Sequence, residues 1–316
     1  MKGTLNTLAR RLLVLIPTGI VATLIVFGLE QLTPGGAAEA AAGQNATPQL
    51  IATLKHQMGL DKPVPLQYWD WISNAARFNF GNSLISHQNV AAEIGQRLPV
   101  SVELTVGALI VALAIGIPLG VLSAARAQSK TDDTLLGISG ISLAIPPFVL
   151  SMIGVYVFAL KLAWLPPTGW TPLSQDVGAN LQTLVLPAIT LGLGSGAIIL
   201  RQTRASMTEA LSSPYVRTAF ALGLPKSQIY FRFALKNALI PVVTQIGLIF
   251  TALLGVAVVV EQIFVIPGMG SMLVGGVTQK DFPITQGVTF CFIVIVILVN
   301  LIVDLSYAVL DPRIRT

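Results

Sequence analysis

Charge is what this chain lacks most: only 10% of its 316 residues are Asp, Glu, Lys or Arg, whereas roughly a quarter of a soluble domain is charged. With 53% of residues hydrophobic, a water-soluble fold could not hide its apolar surface. Cys291 is the single cysteine, so no disulfide framework can form within the chain. It lies in an apolar run and reads as a small lipid- or core-facing residue. The two histidines, His56 and His87, occur with no HExxH and no cysteine cluster, which argues against a zinc site. A phosphate-binding loop of the form G-x-x-x-x-G-K-[ST] is missing, and with it a means of binding ATP. G-x-S-x-G is also missing; Ser195 stands between Gly194 and Gly196 inside an apolar run with no His or Asp partner in view.

What the chain has is length without charge. Six stretches carry no charged side chain: Leu12 to Leu29, Leu104 to Ala125, Leu135 to Leu160, Leu184 to Leu200, Ala238 to Val260 and Phe282 to Val303. Each is long enough for a helix to cross a hydrocarbon core about 30 Å thick. In lipid the backbone must satisfy its own hydrogen bonds, and continuous rather than alternating runs indicate helices. The expected fold class is an all-α polytopic membrane protein of about six transmembrane helices. A cleaved signal peptide is the alternative for the first stretch, since Lys2, Arg10 and Arg11 precede it and Ala37 to Ala42 follow; the run is longer than such a segment needs.

The formal charge of +5 follows topology and not nucleic acid, because the basic residues do not cluster with aromatics. With the N-terminus inside, 13 of the 19 Lys and Arg fall on the cytoplasmic side, among them Arg126, Lys130, Arg201, Arg204, Arg217, Lys226, Arg232 and Lys236. Lys55, Lys62, Arg77, Arg97, Lys161 and Lys280 fall outside. Both termini are expected on the cytoplasmic side of a chain that crosses its membrane several times. The expected organisation is an N-terminal tail and first helix over residues 1–32, an extracytoplasmic segment over 33–100, and a core of five further helices over 101–316.

Within the outer segment, GLDKPVPLQYWDWISNAARFNFGNSL reads as one or two short amphipathic helices with turns at Pro63, Pro65 and Gly81, a small external cap. The loop from Leu165 to Gln182 reads as an ordered turn, and the one from Glu261 to Pro283 as apolar enough to dip back against the bundle. Gly116 and Gly120 form a G-x-x-x-G that permits close helix approach, and Pro118, Pro146, Pro147, Pro187 and Pro241 kink or interrupt their helices. Tight packing explains these; a gate made from kinked helices is the functional alternative. Asp304 is the odd charge, near the end of the sixth stretch on the face of Asn300 and Tyr307. It reads either as reaching the cytoplasmic interface or as pairing with an inner-loop Arg.

The inner segment from Arg201 to the fifth stretch is long, basic and amphipathic. Gly223 can take positive φ and Pro225 blocks helix continuation, so a compact knob is expected there. An ordinary helix pair resting on anionic headgroups is the plainer alternative. YVRTAFALG followed by NALIP resembles the cytoplasmic loop of binding-protein-dependent ABC importer permeases, whose motif is Glu-Ala-Ala, three residues, then Gly. Arg217, Thr218 and Ala219 occupy the first three positions and Gly223 the last. Arg217 and Thr218 depart from the motif, and Lys236 stands where the broader family ends its loop in proline, as in the dipeptide/oligopeptide/nickel branch. The outer segment, VVVEQIFVIPGMGSMLVGGVTQKDFPITQG and the ending NLIVDLSYAVLDPRIR are similar to the first permease of oligopeptide systems, nearly end to end.

The resemblance implies a type I importer permease fold and a channel-forming, non-catalytic subunit of an ATP-driven importer of di- or oligopeptides. It implies that a loop over about 205–236, with Tyr215, Arg217, Thr218, Ala219, Gly223, Leu224 and Pro225, docks in a groove of the ATPase. The implied partners are a second homologous permease, two ATPase subunits or domains that hold ATP and Mg, an extracytoplasmic substrate-binding protein, and the lipid bilayer. Glutathione, nickel chelates or oligosaccharides are alternative cargoes. An ion-coupled secondary transporter is the competing class, but it calls for midplane acidic groups and inverted repeats that the sequence does not display.

Overall fold

The computed structural model describes residues 2–33, 36–43 and 46–310, with side chains from residue 13 to residue 303 except residue 14. Among them no β-strand forms beyond an isolated bridge between Asn82 and Asn89. The helices are α1 (Lys2–Gln31), α2 (Ala37–Ala42), α3 (Pro48–Gln57), α4 (Val64–Ala75), α5 (Val90–Ala125), α6 (Lys130–Ala144), α7 (Pro147–Gly154), α8 (Val177–Ser212), α9 (Pro214–Ala221), α10 (Lys226–Gln228), α11 (Leu235–Phe264), α12 (Met269–Gln279) and α13 (Phe282–Leu310). Two π-helical stretches, Val155–Lys161 and Ile229–Ala234, extend α7 and join α10 to α11.

Four of these segments are long and apolar enough to span a membrane: Val90–Ala125, Val177–Ser212, Lys226–Phe264 and Phe282–Val303. Leu15–Gln31 of α1 is a shorter apolar helix. The third expected span is not one straight helix. Lys130–Ala144 and Pro147–Lys161 are bent by 95°, because Ile145 precedes Pro146 and Pro146 precedes Pro147. Each proline pushes the residue before it out of the α region, and Ile145 and Pro146 have ψ of 120° and 142°.

The chain divides into two compact units, Met1–Val100 with Pro267–Leu301, and Ser101–Ile266 with Ile302–Thr316. Residues 267–301 thus group with the outer segment, where the sequence reading joined them to the core. In the first unit, Met269 and Met272 of α12, Val90 and Ile94 of α5, and Ile284, Val288 and Cys291 of α13 form a buried cluster. The loop after α11 is therefore helical and packed. The stretch from Gly59 to Leu84 forms one helix, α4, within the expected one or two, with Pro63 as its N-cap, Pro65 in its first turn and Gly81 at φ +74°; α2 and α3 precede it. Asp281 is buried, accepting bonds from the Ser83 hydroxyl and, at 3.2 Å, the Leu84 amide.

In the second unit α8 is the central helix, packed by α6, α7 and α11. The expected close approach of α5 is there: a Cβ on Gly116 would lie 2.6 Å from Ile199 Cβ and 2.7 Å from the Gly196 carbonyl oxygen. Gly120 is equally confined, with Thr203 Cβ at 2.6 Å and the Leu200 carbonyl oxygen at 2.8 Å. The loop before α8 is ordered, as expected. The Gly169 amide donates to the Phe264 carbonyl at 2.8 Å, and buried Asn180 donates to the Thr171 carbonyl at 2.8 Å. The side chains of Asp304, Tyr307, Lys2, Arg10 and Arg11 and the whole DPRIR ending lie outside what the structure describes.

Candidate coupling site

The inner loop differs from expectation first in how little of it is loop. α8 does not stop at the end of its apolar run but continues through Arg201 to Ser212. Nothing breaks the helix until Ser213, which Pro214 forces into an extended conformation (ψ 151°). Pro214 then occupies the first turn of α9, where a missing N–H is harmless.

The turn at Gly223 closes α9. Gly223 has φ +73°; its amide donates to the Phe220 carbonyl at 3.0 Å, and the Leu224 amide donates to the Ala219 carbonyl at 3.3 Å. That pair of bonds, with the left-handed residue between them, is a Schellman cap. Leu224 folds back toward Ala219, the apolar contact that accompanies such a cap. Pro225 begins the next helix, and the Ile229 amide donates to its carbonyl at 3.1 Å.

The knob has its own core. Val216, Ala219 and Ile229 are buried together, with Leu211, Leu224 and Phe233 packed against them. Tyr215 Oη accepts from Asn237 Nδ2 at 2.7 Å, tying α9 to the start of α11. Among the residues singled out by sequence, Tyr215, Arg217 and Thr218 are exposed on α9, while Ala219 points inward and Gly223, Leu224 and Pro225 make the turn. Ala219 is thus small because the knob's interior is narrow. Sequence reasoning missed the exposed apolar residues Phe220, Leu222 and Phe231. Leu222, 74% exposed, stands beside the turn with Arg217 and Lys226 nearby in sequence. Helix phase gave no signal for Phe220: it stands four residues after Val216, on the stripe that an amphipathic helix buries, and only the structure shows it exposed.

Beneath the knob, its stem is clamped. Val121 and Ala124 of α5, Met207 of α8, Ala234 and Ala238 form a second buried cluster. Alongside it, Arg204 Nε and Nη2 each donate at 2.6 Å to the two oxygens of Asp132. The Ser123 hydroxyl donates to Asp132 Oδ1 and the Gln128 amide to Oδ2 at 3.0 Å. Asp132 precedes the apolar run that starts at Leu135, and the Arg204 guanidinium, with help from Ser123 and Gln128, holds its carboxyl well below the usual range despite burial. Arg201 Nε donates to Ser139 Oγ at 2.9 Å, a second tie between α8 and α6. Arg201 and Arg204 were read only as topological charges, and Asp132 was not singled out. Ser129 three residues ahead of it, accepting from the Asp132 amide as N-cap, marked a helix start but not an ion pair. Among the described residues no three His, Cys, Asp or Glu side chains converge on a metal-sized site.

Several long apolar helices, with a compact capped knob on a helical stem, define a polytopic membrane protein. The chain belongs to the family of binding-protein-dependent transport system inner membrane components: that family's model matches residues 116–316, and the model for its N-terminal region matches residues 4–105. It is a multi-pass inner-membrane protein. It is 38% identical over 306 residues to the probable peptide ABC transporter permease protein y4tP of Sinorhizobium fredii (strain NBRC 101917 / NGR234), covering 97% of this chain and 98% of that one. It is also 38% identical over 311 residues to the glutathione transport system permease protein GsiC of Escherichia coli (strain K12), covering 98% and 99%. The inward-facing MetNI methionine ABC transporter shares the fold, with a TM-score of 0.57 at 17% identity over 69% of this chain and 96% of that one.

Proposed function

We propose that this chain is one of the two channel-forming permeases of an ATP-driven, binding-protein-dependent importer of short peptides, glutathione included. End-to-end similarity to permeases named for peptide and for glutathione transport carries the reading; glutathione is itself a modified tripeptide. The chain binds no nucleotide of its own. ATP and Mg are held by two partner ATPases, an extracytoplasmic binding protein delivers the cargo, and both termini face the cytoplasm.

The knob explains how such a subunit receives force. Its interior is packed and its turn is hydrogen-bonded, so it moves as a body. Its exposed Leu222, Phe220 and Phe231, flanked by Arg217, Lys226 and Arg232, offer an apolar tip with a basic rim, suited to a groove on a soluble ATPase. The Asp132–Arg204 pair and the continuous α8 carry displacement of that tip into the spanning helices. The test is reconstitution. The purified chain alone hydrolyses no ATP; with a second permease, ATPases and binding protein in vesicles, it supports ATP-dependent uptake of labelled di- and tripeptides or glutathione. Hydrolysis by the chain alone, or uptake driven by an ion gradient without ATP, rejects the reading.

A further inference from the structure

α4 lies in the segment that the sequence presents as a water-facing cap, yet its contacts hold it against the apolar part of α1. Tyr68 Oη and Thr23 Oγ1 are 3.0 Å apart. Phe27 stacks on Trp71 with ring centroids 5.8 Å apart and meets Tyr68 edge-on at 5.6 Å. Gln31 Nε2 donates to Gln67 Oε1 at 3.1 Å. The α1 partners therefore run from Thr23 to Gln31, with Phe27 at the centre.

The depth follows from helix geometry. Glu30 is the first charged residue after the apolar run of α1. At 1.5 Å per residue, Phe27 lies about 5 Å and Thr23 about 10 Å inside that polar limit. Amphipathic helices that rest in a bilayer surface are buried to about that depth, 5–10 Å. A helix fixed to a membrane span at Phe27 is thus at the boundary of headgroups and acyl chains.

The exposed face of α4 has the matching composition. Tyr68, Trp71 and buried Ala75 turn toward α1, while Trp69 (66% exposed) and Leu66 (53% exposed) lie on the other side. On α1 itself Leu24, Ile25 and Leu29, and Leu32 just past its end, are exposed as well, as befits a helix that faces lipid. Tryptophan is enriched at this level of a bilayer, where an apolar ring meets hydrated headgroups. The polar edge of the same helix, at Asp70, takes a 2.6 Å hydrogen bond from Lys62, satisfying a charge near the surface.

We propose that α4 is an interfacial helix lying in the leaflet at the C-terminal end of α1, with Leu66 and Trp69 in contact with lipid and not with water or another protein. This placement rests on the multi-pass topology and is independent of cargo and of ATPase coupling.

Nitroxide labels at Trp69→Cys and Leu66→Cys, in a Cys291→Ala background, decide it. The labelled permease is assembled with its partner subunits in phosphatidylethanolamine/phosphatidylglycerol vesicles and probed with oxygen, which partitions into lipid, and with a water-soluble nickel chelate. Ile25→Cys serves as the lipid reference and Lys55→Cys as the water reference. The expected oxygen-to-nickel accessibility ratio at 66 and 69 is several-fold above that at Lys55 and close to that at Ile25. A ratio like that of Lys55 overturns the proposal in favour of a water-facing cap. Protection from both reagents overturns it in favour of a protein partner. Should one cysteine prevent assembly, the label at the other position reads the same face of α4.

Discussion

Arg204 and Asp132, separated by 72 residues, meet in a two-pronged ion pair with both N–O distances at 2.6 Å. Asp132 is 1% exposed, while the Arg204 side chain keeps an outlet to solvent. The pair locks the start of α6 to the stretch of α8 that leads into the knob, and the difference in burial makes its two ends unequal.

Removing the guanidinium strands a buried carboxylate, whereas neutralising the carboxylate leaves an arginine that can still reach water. Arg204→Ala is expected to destabilise the folded permease by about 3 kcal/mol, and Asp132→Asn by clearly less. Thermal unfolding in detergent measures both; equal losses would contradict the asymmetry. Because the folded Asp132 carboxyl is depressed, its stabilisation is fully present above the unfolded value of about 4 and is lost only as pH falls through the lower folded value. Between about pH 5 and 8, the difference between wild type and Asp132→Asn should stay constant.

Helix contact makes a separate prediction. Gly116→Ala places a methyl against Ile199 and the Gly196 carbonyl, and is expected to lower stability by about 1–3 kcal/mol. Gly137→Ala on α6 places its methyl where no atom lies within 4 Å, so it should be neutral or gain up to about 1 kcal/mol from helix propensity. Comparable loss at both positions would show that helix approach is not what Gly116 serves.

These contrasts also show where sequence was readable. Uncharged runs locate spans because lipid tolerates little else, and the Gly116/Gly120 spacing announced a close contact. Gly223 followed by Pro225 announced the turn, since few other pairs both permit positive φ and stop a helix. The 95° bend was only half legible: Pro146 and Pro147 promised an interruption, but its angle depends on how α6 and α7 each pack on α8. Asp132–Arg204 was hidden because partners 72 residues apart leave no periodic trace. α4 was hidden as well, because its polar and apolar residues fit a soluble cap until Tyr68 and Trp71 are seen on Thr23 and Phe27.

Orientation is checked by cysteine accessibility, since Lys55, Asp176, Arg126 and Ser227 are all exposed in the structure. In a Cys291→Ala background, Lys55→Cys and Asp176→Cys should react with an impermeant maleimide from the extracytoplasmic side. Arg126→Cys and Ser227→Cys should react only from the cytoplasm. Labelling of Ser227→Cys from outside would invert the topology and remove the knob from reach of any ATPase.

The knob's engagement of an ATPase is the central claim, and two substitutions probe it in different ways. Gly223→Val strains a backbone of φ +73° by about 1–2 kcal/mol without a clash, since a Cβ there meets nothing within 4 Å. Leu222→Asp leaves the turn intact and puts a charge on the apolar tip. The decisive measurement is ATPase co-purification together with peptide uptake in membranes holding normal amounts of each variant. Association and uptake are predicted to fall together in both, with binding-protein docking preserved. Retained association with normal uptake would contradict the account and leave the loop an ordinary lipid-facing surface.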